Sequence, residues 1–333
     1  MPVNVPIAGP ALARGLKNEF MNTWKLRTED MERRLGSFFR GGIPSTQYAE
    51  LYGYWEPPLF PSRRPWGEGV ESKPFRARNF EVINHSFTSS VEWYKHQRLF
   101  DQLGDLPRMA QRAGKNFATL NERVALQIIT GATDSSLLST APNAPDGVGL
   151  WSATDSTGGS RFSVTGGNIL TGSGVATPAS ILTDLYAGTA RMAEFQDPNG
   201  QPANDPSILD GPMTVLYGVG NNMVFRQAFI ERFHAIGANT AQSNAAVSNL
   251  ILDSGQSIRL VASSRITDDD WFIFADDMDV KPLFGQVAQP LEEHYSDESN
   301  SDRARDLKIE GLTFESILGF GVNLPLGAVK VNN

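Results

Sequence analysis

Six aspartates surround one aromatic and aliphatic run in ITDDDWFIFADDMDVKPL, which occupies positions 266–283. Carboxylates at this density can bind Ca²⁺, whose EF-hand sites need oxygen ligands at alternate positions and a glycine at the sixth. Here Asp268, Asp269 and Asp270 are consecutive, and no glycine follows them. Consecutive side chains on an extended chain point to opposite faces and converge poorly on one ion. The pattern therefore favours two acidic turns flanking a buried strand, WFIFA, over a metal site.

No other motif predicts catalysis or a cofactor. The chain lacks a phosphate-binding loop G-x-x-x-x-G-K-[ST] and a nucleophile elbow G-x-S-x-G, and GVGLWS and GFGVNL lack the third glycine of a dinucleotide fingerprint. Zero cysteines exclude disulfides, thiolate ligands and cysteine nucleophiles. Metal-ligand spacing is missing among the four histidines, which are His85, His96, His234 and His294. We predict no enzyme, with no catalytic residue, no metal ligand and no cofactor.

The totals describe an ordinary globular chain. Of its 333 residues, 40% are hydrophobic and 20% are charged, unlike a disordered protein. No run approaches the roughly 18 apolar residues of a membrane helix, and no secretory signal opens the sequence. The net charge of −8 argues against a dedicated nucleic-acid binder, which carries a basic excess.

Charge is distributed unevenly along the chain. Positions 61–78 hold five basic residues and two acids, whereas positions 266–306 hold twelve acids and three bases. This asymmetry is common on plain solvated surface. It is also what complementary faces of a self-assembling subunit show, because opposed potentials fix the register of association. The sequence leaves both interpretations open.

A long extended excursion is predicted upstream of the middle of the chain. Residues 52–74 contain paired arginines and five prolines between Pro57 and Pro74, and the following FRARNFEVINHSFTSSVEWY alternates apolar and polar residues as a strand does. The two stretches fold back near RRPWGEG. Because a long hairpin is only marginally stable alone, we expect it to rest on another subunit.

The clearest helix signal follows this hairpin. Apolar residues recur at steps of three and four between Leu103 and Ile128, which predicts a continuous helix of roughly 40 Å over 103–130. Gly114 should weaken it by about 1 kcal/mol relative to alanine, and Gly131 fits the end of the helix. Further helices are predicted over 12–35 and 178–195, and strands at MTVLYG, WFIFA and the two final apolar segments. The element order indicates an α+β fold without repeats.

An ordered series of segments resembles one known family. RPWGEGVESKPFRARNFEVINHSFTSSVEW, DQLGDLPRMAQRAGKNFATLNERVALQIITGA, GLWSATDS and SSRITDDDWFIFADDMDVKPLFGQ are similar to the Mu-like major head subunit family of tailed bacteriophages. The resemblance covers roughly residues 48–330 and implies the Hong Kong 97-type capsid fold. It implies an N-terminal arm over 1–50, an extended loop over 51–97, a peripheral domain over 98–176 with a spine helix at 103–130, an axial domain over 177–285, and a return to the peripheral domain over 286–333.

The same resemblance implies a function and its partners. We expect a major capsid protein that assembles in the host cytoplasm, through hexamers and pentamers, into the icosahedral shell of a virion. The shell would enclose DNA without sequence-specific binding and without a membrane. A separate scaffold, or none, is implied because the region before the loop is too short for a scaffolding coiled coil, and portal and decoration proteins are further expected partners. No cross-link is predicted, since Lys73 has no matching asparagine.

The charge asymmetry suggests which surfaces meet between subunits. We expect loop residues of one copy to dock on an acidic face of its neighbour. The loop set is Arg63, Arg64, Trp66, Arg76 and Arg78, and the acidic face is Asp297, Glu298, Asp302 and Asp306.

Two other functions remain open at the level of sequence. An encapsulin-type compartment shares the fold but encloses enzyme cargo. An enzyme or carbohydrate-binding module would instead form a discrete small oligomer with a ligand-sized pocket.

Overall fold

The computed structural model describes residues 9–55, 77–100, 105–132, 134–229 and 257–333. In chain order the elements are α1 (Gly9–Leu35), β1 (Phe39–Pro44), β2 (Ala49–Trp55), β3 (Ala77–Tyr94), α2 (Lys95–Phe100), α3 (Asp105–Ala118), α4 (Leu120–Thr130), β4 (Ile169–Thr171), α5 (Pro178–Glu194), β5 (Met213–Gly218), α6 (Asn222–Phe229), β6 (Ile258–Ser263), β7 (Trp271–Ala275), β8 (Leu283–Ser296), α7 (Asp302–Leu307), β9 (Ile309–Val322) and β10 (Ala328–Asn332). The strands form two five-stranded sheets.

The first sheet has the strand order β1-β8-β9-β3-β2. Strands β3, β8 and β9 are long, at 18, 14 and 14 residues, so β3 alone extends roughly 60 Å. Only β1 runs parallel to its neighbour β8; the other pairings are antiparallel. Strand β2 lies at the edge of this sheet.

Strand β3 changes partner partway along its length. Residues 77–83 pair with β2, whereas residues 84–94 pair with β9 on the opposite side. The base of the predicted hairpin is therefore present: β2 and residues 77–83 of β3, called the hairpin base below. Its backbone continues into the body through β3 and through residues 45–48, which lead back to β1. The fold-back near RRPWGEG lies outside the described residues.

Helix α1 covers one end of the first sheet and packs against α3. Leu16 and Phe20 of α1 are buried, and the Phe20 ring stacks on Phe314 of β9 at 3.4 Å between centroids. The two helices approach closely at Gly114, where an added Cβ would lie 2.6 Å from the Phe20 carbonyl oxygen. Gly114 is thus needed for helix packing, a role that its low helix propensity alone did not indicate.

The predicted spine helix is interrupted. Helices α3 and α4 are separated by Thr119, whose ψ is 1° and whose hydroxyl donates to the Asn116 carbonyl at 3.0 Å. A threonine hydroxyl that bonds to its own helix backbone competes with regular helical geometry. The predicted stop is confirmed, because Gly131 takes φ 69° as the C-cap. Positions 103 and 104 lie outside the described residues.

The second sheet has the order β4-β10-β7-β5-β6. Strands β5 and β7, the predicted MTVLYG and WFIFA, are buried at every residue, as expected for central strands covered on both faces. Helices α5 and α6 pack their apolar residues on one face, around Ile181, Leu185 and Phe225. The last strand, β10, pairs with β4 and β7, so the chain ends in this second sheet.

The acidic turns around β7 differ from the expectation at one position. Asp268 and Asp269 are exposed as predicted, but Asp270 is only 7% exposed. Its carboxylate pairs with Lys330 of β10 at 2.6 Å and accepts the Asn333 backbone N–H at 2.9 Å. Asp270 is therefore a buried tie between neighbouring strands, because β10 is the hydrogen-bonded neighbour of β7.

Candidate inter-subunit surfaces

Most of the predicted basic set cannot be placed against the body. Arg63, Arg64, Trp66 and Arg76 lie outside the described residues. Arg78 pairs with Tyr54 through the backbone of the hairpin base and comes just after the residues that the structure does not describe. The assignment of the basic set to an extended loop, and its contacts with a neighbouring copy, stay predictions.

The predicted acidic face forms the corner between β8 and β9. Ser301 caps the short helix α7 by accepting the Ala304 N–H, so the corner is a defined turn. Asp297 accepts hydrogen bonds from the Ser299 hydroxyl and from the Ser299 N–H, and these hold the pKa of the Asp297 carboxyl below its ordinary value. A carboxylate stabilised in this way stays negative well into the acid range.

Cations of the same chain neutralise part of this face. Glu298 lies 3.1 Å from the Lys95 Nζ and 3.7 Å from the Lys308 Nζ, and the Lys95 hydrogen bond lowers the pKa of the Glu298 carboxyl. Asp302 pairs with Arg305 at 2.5 Å. Sequence counting missed Lys95 and Lys308, which lie outside positions 266–306 and reach the corner only through the fold.

An apolar patch lies beside the hairpin base. Tyr48, Leu51 and Ile83 are 77%, 66% and 41% exposed, and Leu51 and Ile83 are on one face because Ala49 pairs with Ile83. The patch borders β2, an edge strand whose outer backbone groups have no partner strand among the described residues. Exposed apolar side chains next to an open edge are typical of a surface that another protein covers.

One cavity lies beside the buried Arg161. This cavity of about 300 Å³ lies between loops that contain Arg161, Gln196 and Leu326, and its described lining holds no histidine or lysine. The carboxylate of Asp155 on its rim is bound by Thr157 of the same turn.

Metal ligation finds no support in the part of the chain that the structure describes. No group of three or more acidic or histidine side chains is arranged to hold a metal there. Asp269 accepts from Asn221 at 3.0 Å, and Asp276 accepts from Thr214 at 3.1 Å, so the aspartates around WFIFA point to separate partners. Among the described helices, none is long and apolar enough to cross a membrane.

The described residues show a hairpin base on a ribbon of three long strands, a pair of helices packed against that ribbon, and a second sheet. This arrangement is the Hong Kong 97-type capsid fold, and solved structures agree. The chain is similar to the capsid of cyanophage P-SCSP1u, with TM-score 0.56, 12% identity, and coverage of 89% of this chain and 86% of that one. It is also similar to the mature capsid of bacteriophage PhiM1, with TM-score 0.54, 12% identity, and coverage of 89% and 85%. A third likeness, to Mycobacterium phage Adephagia, has TM-score 0.51, 12% identity, and coverage of 90% and 88%.

These likenesses show the fold of the chain. A sequence profile described as phage capsid protein matches residues 85–331, which is most of the chain. The chain belongs to the phage capsid protein family. None of the curated protein sequences compared with it matches.

Proposed function

We propose that this chain is the major capsid subunit of a tailed bacteriophage, and that its copies close through hexamers and pentamers into an icosahedral head around the DNA genome. The observation that carries this proposal is the phage capsid family match over residues 85–331, on a chain whose fold is that of phage capsid proteins. A structural role follows from this family. Assembly in the host cytoplasm, with separate scaffold, portal and decoration proteins, belongs to the same proposal.

Within the phage capsid family, we place the chain nearest the Mu-like major head subunits. The support is the ordered series of segments from RPWGEG through GLWSATDS to SSRITDDDWFIFADD. The division into an arm over 1–50, an extended loop over 51–97, peripheral segments over 98–176 and 286–333, and an axial domain over 177–285 is part of this placement.

The net charge of −8 suits a wall that encloses DNA without gripping it. Phosphate neutralisation by lysine and arginine supplies most non-specific DNA affinity, and a wall that bound DNA tightly would oppose packaging. The encapsulin-type compartment is the second candidate. It would need a docking site for a cargo protein, and the family match gives it less support.

The contacts between copies are proposed to join the basic loop set to the acidic face. Arg63, Arg64, Trp66, Arg76 and Arg78 of one copy would approach the corner that carries Asp297, Glu298, Asp302 and Asp306 in the next copy. Glu298 and Asp302 are already paired with cations of their own chain. Asp297 and Asp306 would therefore contribute more of the negative charge to a contact with a neighbouring copy. The exposed Tyr48 and Leu51 would add apolar area at the base of the same contact.

Electron microscopy of the purified, expressed chain, alongside analytical centrifugation at low and high salt, tests this function. Closed shells, tubes, or rings of five and six subunits are expected, with or without a co-expressed scaffold. Particle contents then separate the candidates, since nucleic acid indicates a virus head and a specific protein cargo indicates a compartment. A monomer under every condition, including co-expression with a scaffold, would contradict both shell functions.

A further inference from the structure

The two glycines of GFGV, Gly319 and Gly321, leave space on one face of β9 between the side chains of its neighbours β3 and β8. Gly319 pairs with Asn84 of β3 on one side and with Gln286 of β8 on the other. An added Cβ on Gly319 would lie 2.6 Å from the Asn84 Oδ1 and 2.6 Å from the Gln286 Nε2. An added Cβ on Gly321 would meet the Phe284 ring and lie 2.9 Å from Val82. Side chains of β8 therefore reach those of β3 directly across β9.

A chain of hydrogen bonds crosses this gap. The Gln286 Nε2 donates to the Asn84 Oδ1 at 2.8 Å, and the Asn84 Nδ2 donates to the Ser45 Oγ at 2.8 Å and to the Gln47 carbonyl at 2.6 Å. The Tyr52 hydroxyl of β2 donates to the Gln286 Oε1 at 2.6 Å. Gln286 and Asn84 are 0% and 3% exposed. Both amides have each functional atom bonded, which is the condition under which a buried polar network fixes one geometry.

The network lies where β3 changes partner. Residues 77–83 of β3 pair with β2 and with no other described strand, and the pairing of β3 with β9 begins at residue 84. A β-ribbon that shares only a strand junction with a sheet can bend and twist there unless side-chain contacts restrain it. The Tyr52, Phe80 and Phe284 rings pack together at 5.2 to 6.1 Å between centroids, but such packing restrains direction less sharply than a hydrogen-bond network does.

We propose that Asn84 and Gln286 are positioning residues that fix the direction in which the hairpin leaves the body, and that Gly319 permits their contact. Gln286 ties β2 through Tyr52, and Asn84 ties the β1–β2 connection through Ser45 and Gln47. When the Tyr52–Gln286, Asn84–Ser45 and Asn84–Gln47 hydrogen bonds are all made, the hairpin base has one orientation relative to the first sheet. The consequence for assembly rests on the proposed function, because a hairpin that points elsewhere would miss the neighbouring subunit. The intrachain positioning of the hairpin base is independent of the proposed function.

Hydrogen exchange on the unassembled chain tests the geometry. Gln286→Met keeps the side-chain length and removes its three hydrogen bonds, to Tyr52, Asn84 and the Val82 carbonyl. Amides of β2 and of positions 45–48 should then exchange about tenfold faster, with β5 unchanged. Gln127→Met is the matched control. Gln127 is another buried glutamine, and it donates to the Asp134 and Leu138 carbonyls far from the hairpin. This control should leave β2 exchange unchanged.

Two results would overturn the positioning role: unchanged β2 exchange in Gln286→Met, or equal acceleration of β2 in both glutamine variants. If Gln286→Met does not fold, Tyr52→Phe replaces it, since this variant loses one hydroxyl at the exposed side of the network. It should still accelerate β2 exchange several-fold, and an unchanged rate would refute the proposal equally.

Assembly provides the second readout. Gly319→Ala places a methyl group against Asn84 and Gln286, and should lower the yield of closed shells at least tenfold in favour of open or irregular products. Gly311→Ala, on the same strand, meets the Ser296 hydroxyl and the Glu92 side chain instead and should assemble like the unaltered chain. Equal shell yields for the two variants would overturn the link to assembly. Failure of the unaltered chain to assemble would count against the proposed function, whereas the exchange result would stand by itself.

Discussion

Arg161 is 1% exposed and organises the loops between α4 and α5. Its guanidinium bonds both carboxylate oxygens of Asp146, at 2.7 and 3.0 Å, and donates to the Gly149 and Leu150 carbonyls. Burial lowers the pKa of Arg161, while the Asp146 hydrogen bond and charge oppose that shift. The Arg161–Asp146 ion pair holds together the loops between α4 and α5. From the sequence, this region is recognisable only as rich in glycine and serine.

Replacing Arg161 should therefore be costly. Arg161→Ala leaves the Asp146 carboxylate without its ion partner and removes the bonds to the Gly149 and Leu150 carbonyls, of which Leu150 keeps its bond from Asn168. We expect a loss of about 3–5 kcal/mol in the free energy of unfolding. Urea denaturation of the unassembled chain measures it. Arg305→Ala is the control, since the Arg305–Asp302 pair is exposed and should contribute less than about 1 kcal/mol. Similar losses in both variants would contradict the assignment.

The acidic corner predicts a specific pH dependence. The folded-state pKa of Asp297 is lowered, chiefly by the Ser299 hydroxyl, from an ordinary value of 3.8. A lowered folded pKa adds stability above the unfolded pKa, and that stability is lost as the pH falls through the folded value. We expect the unaltered chain to lose stability more steeply than Ser299→Ala below about pH 4. Unfolding free energies measured between about pH 2 and pH 6 would show it, and parallel curves would contradict it.

At the scale of elements, the α1–α3 packing depends on one missing side chain. Gly114 lies mid-helix, where alanine normally adds about 1 kcal/mol. Here an alanine Cβ would lie 2.6 Å from the Phe20 carbonyl oxygen, and a backbone atom cannot move aside without shifting α1. Close approach therefore outweighs helix propensity at this position.

Gly114→Ala should lower the free energy of unfolding by about 1–3 kcal/mol. Gly15→Ala is the matched control on the facing helix, because an added Cβ there meets nothing within 4 Å. That substitution should be neutral or stabilising by up to about 1 kcal/mol. Thermal or urea unfolding compares the two, and a stabilised Gly114→Ala variant would show that α1 does not pack as closely as described.

At the scale of the whole molecule, assembly should depend on charge. If the basic loop set docks on the acidic corner of a neighbour, the double variant Arg63→Glu and Arg64→Glu should raise the concentration needed for assembly at least tenfold at low salt. High salt should narrow that difference, because screening weakens both attraction and repulsion. Light scattering at two ionic strengths measures it.

Reversal of exposed charges elsewhere controls for net charge. Arg108 lies on the exposed side of α3 with its side chain 68% exposed, and Arg108→Glu combined with Arg112→Glu changes the net charge by the same amount. These substitutions should leave assembly and its salt dependence nearly unchanged. An Arg63 and Arg64 double reversal that behaves like this control would rule out the proposed contact.

Local patterns predicted the elements well where one physical cause dominated. Alternation over FEVINHSFTSSVEW predicted β3, and continuous apolar runs predicted the buried strands β5 and β7. The 3.6-residue period predicted α1 and α5, and Gly131 predicted the end of α4. In each case neighbouring residues in the sequence supply the burial pattern or the backbone conformation, so the element can be predicted without knowledge of any distant contact.

Other features depended on residues far apart in sequence. Asp270 reads as one aspartate in an exposed acidic turn, yet Lys330 of the adjacent strand makes it a buried ion pair. In the sequence, GFGV resembles a dinucleotide fingerprint that lacks its third glycine. In the fold, its glycines allow the Gln286 side chain to contact Asn84 across β9. Composition and periodicity thus determined the elements and the fold class, because they reflect local burial and backbone preference. Strand order, the pairing of charges and the role of each glycine were decided only by tertiary structure, since they depend on which distant backbone lies alongside.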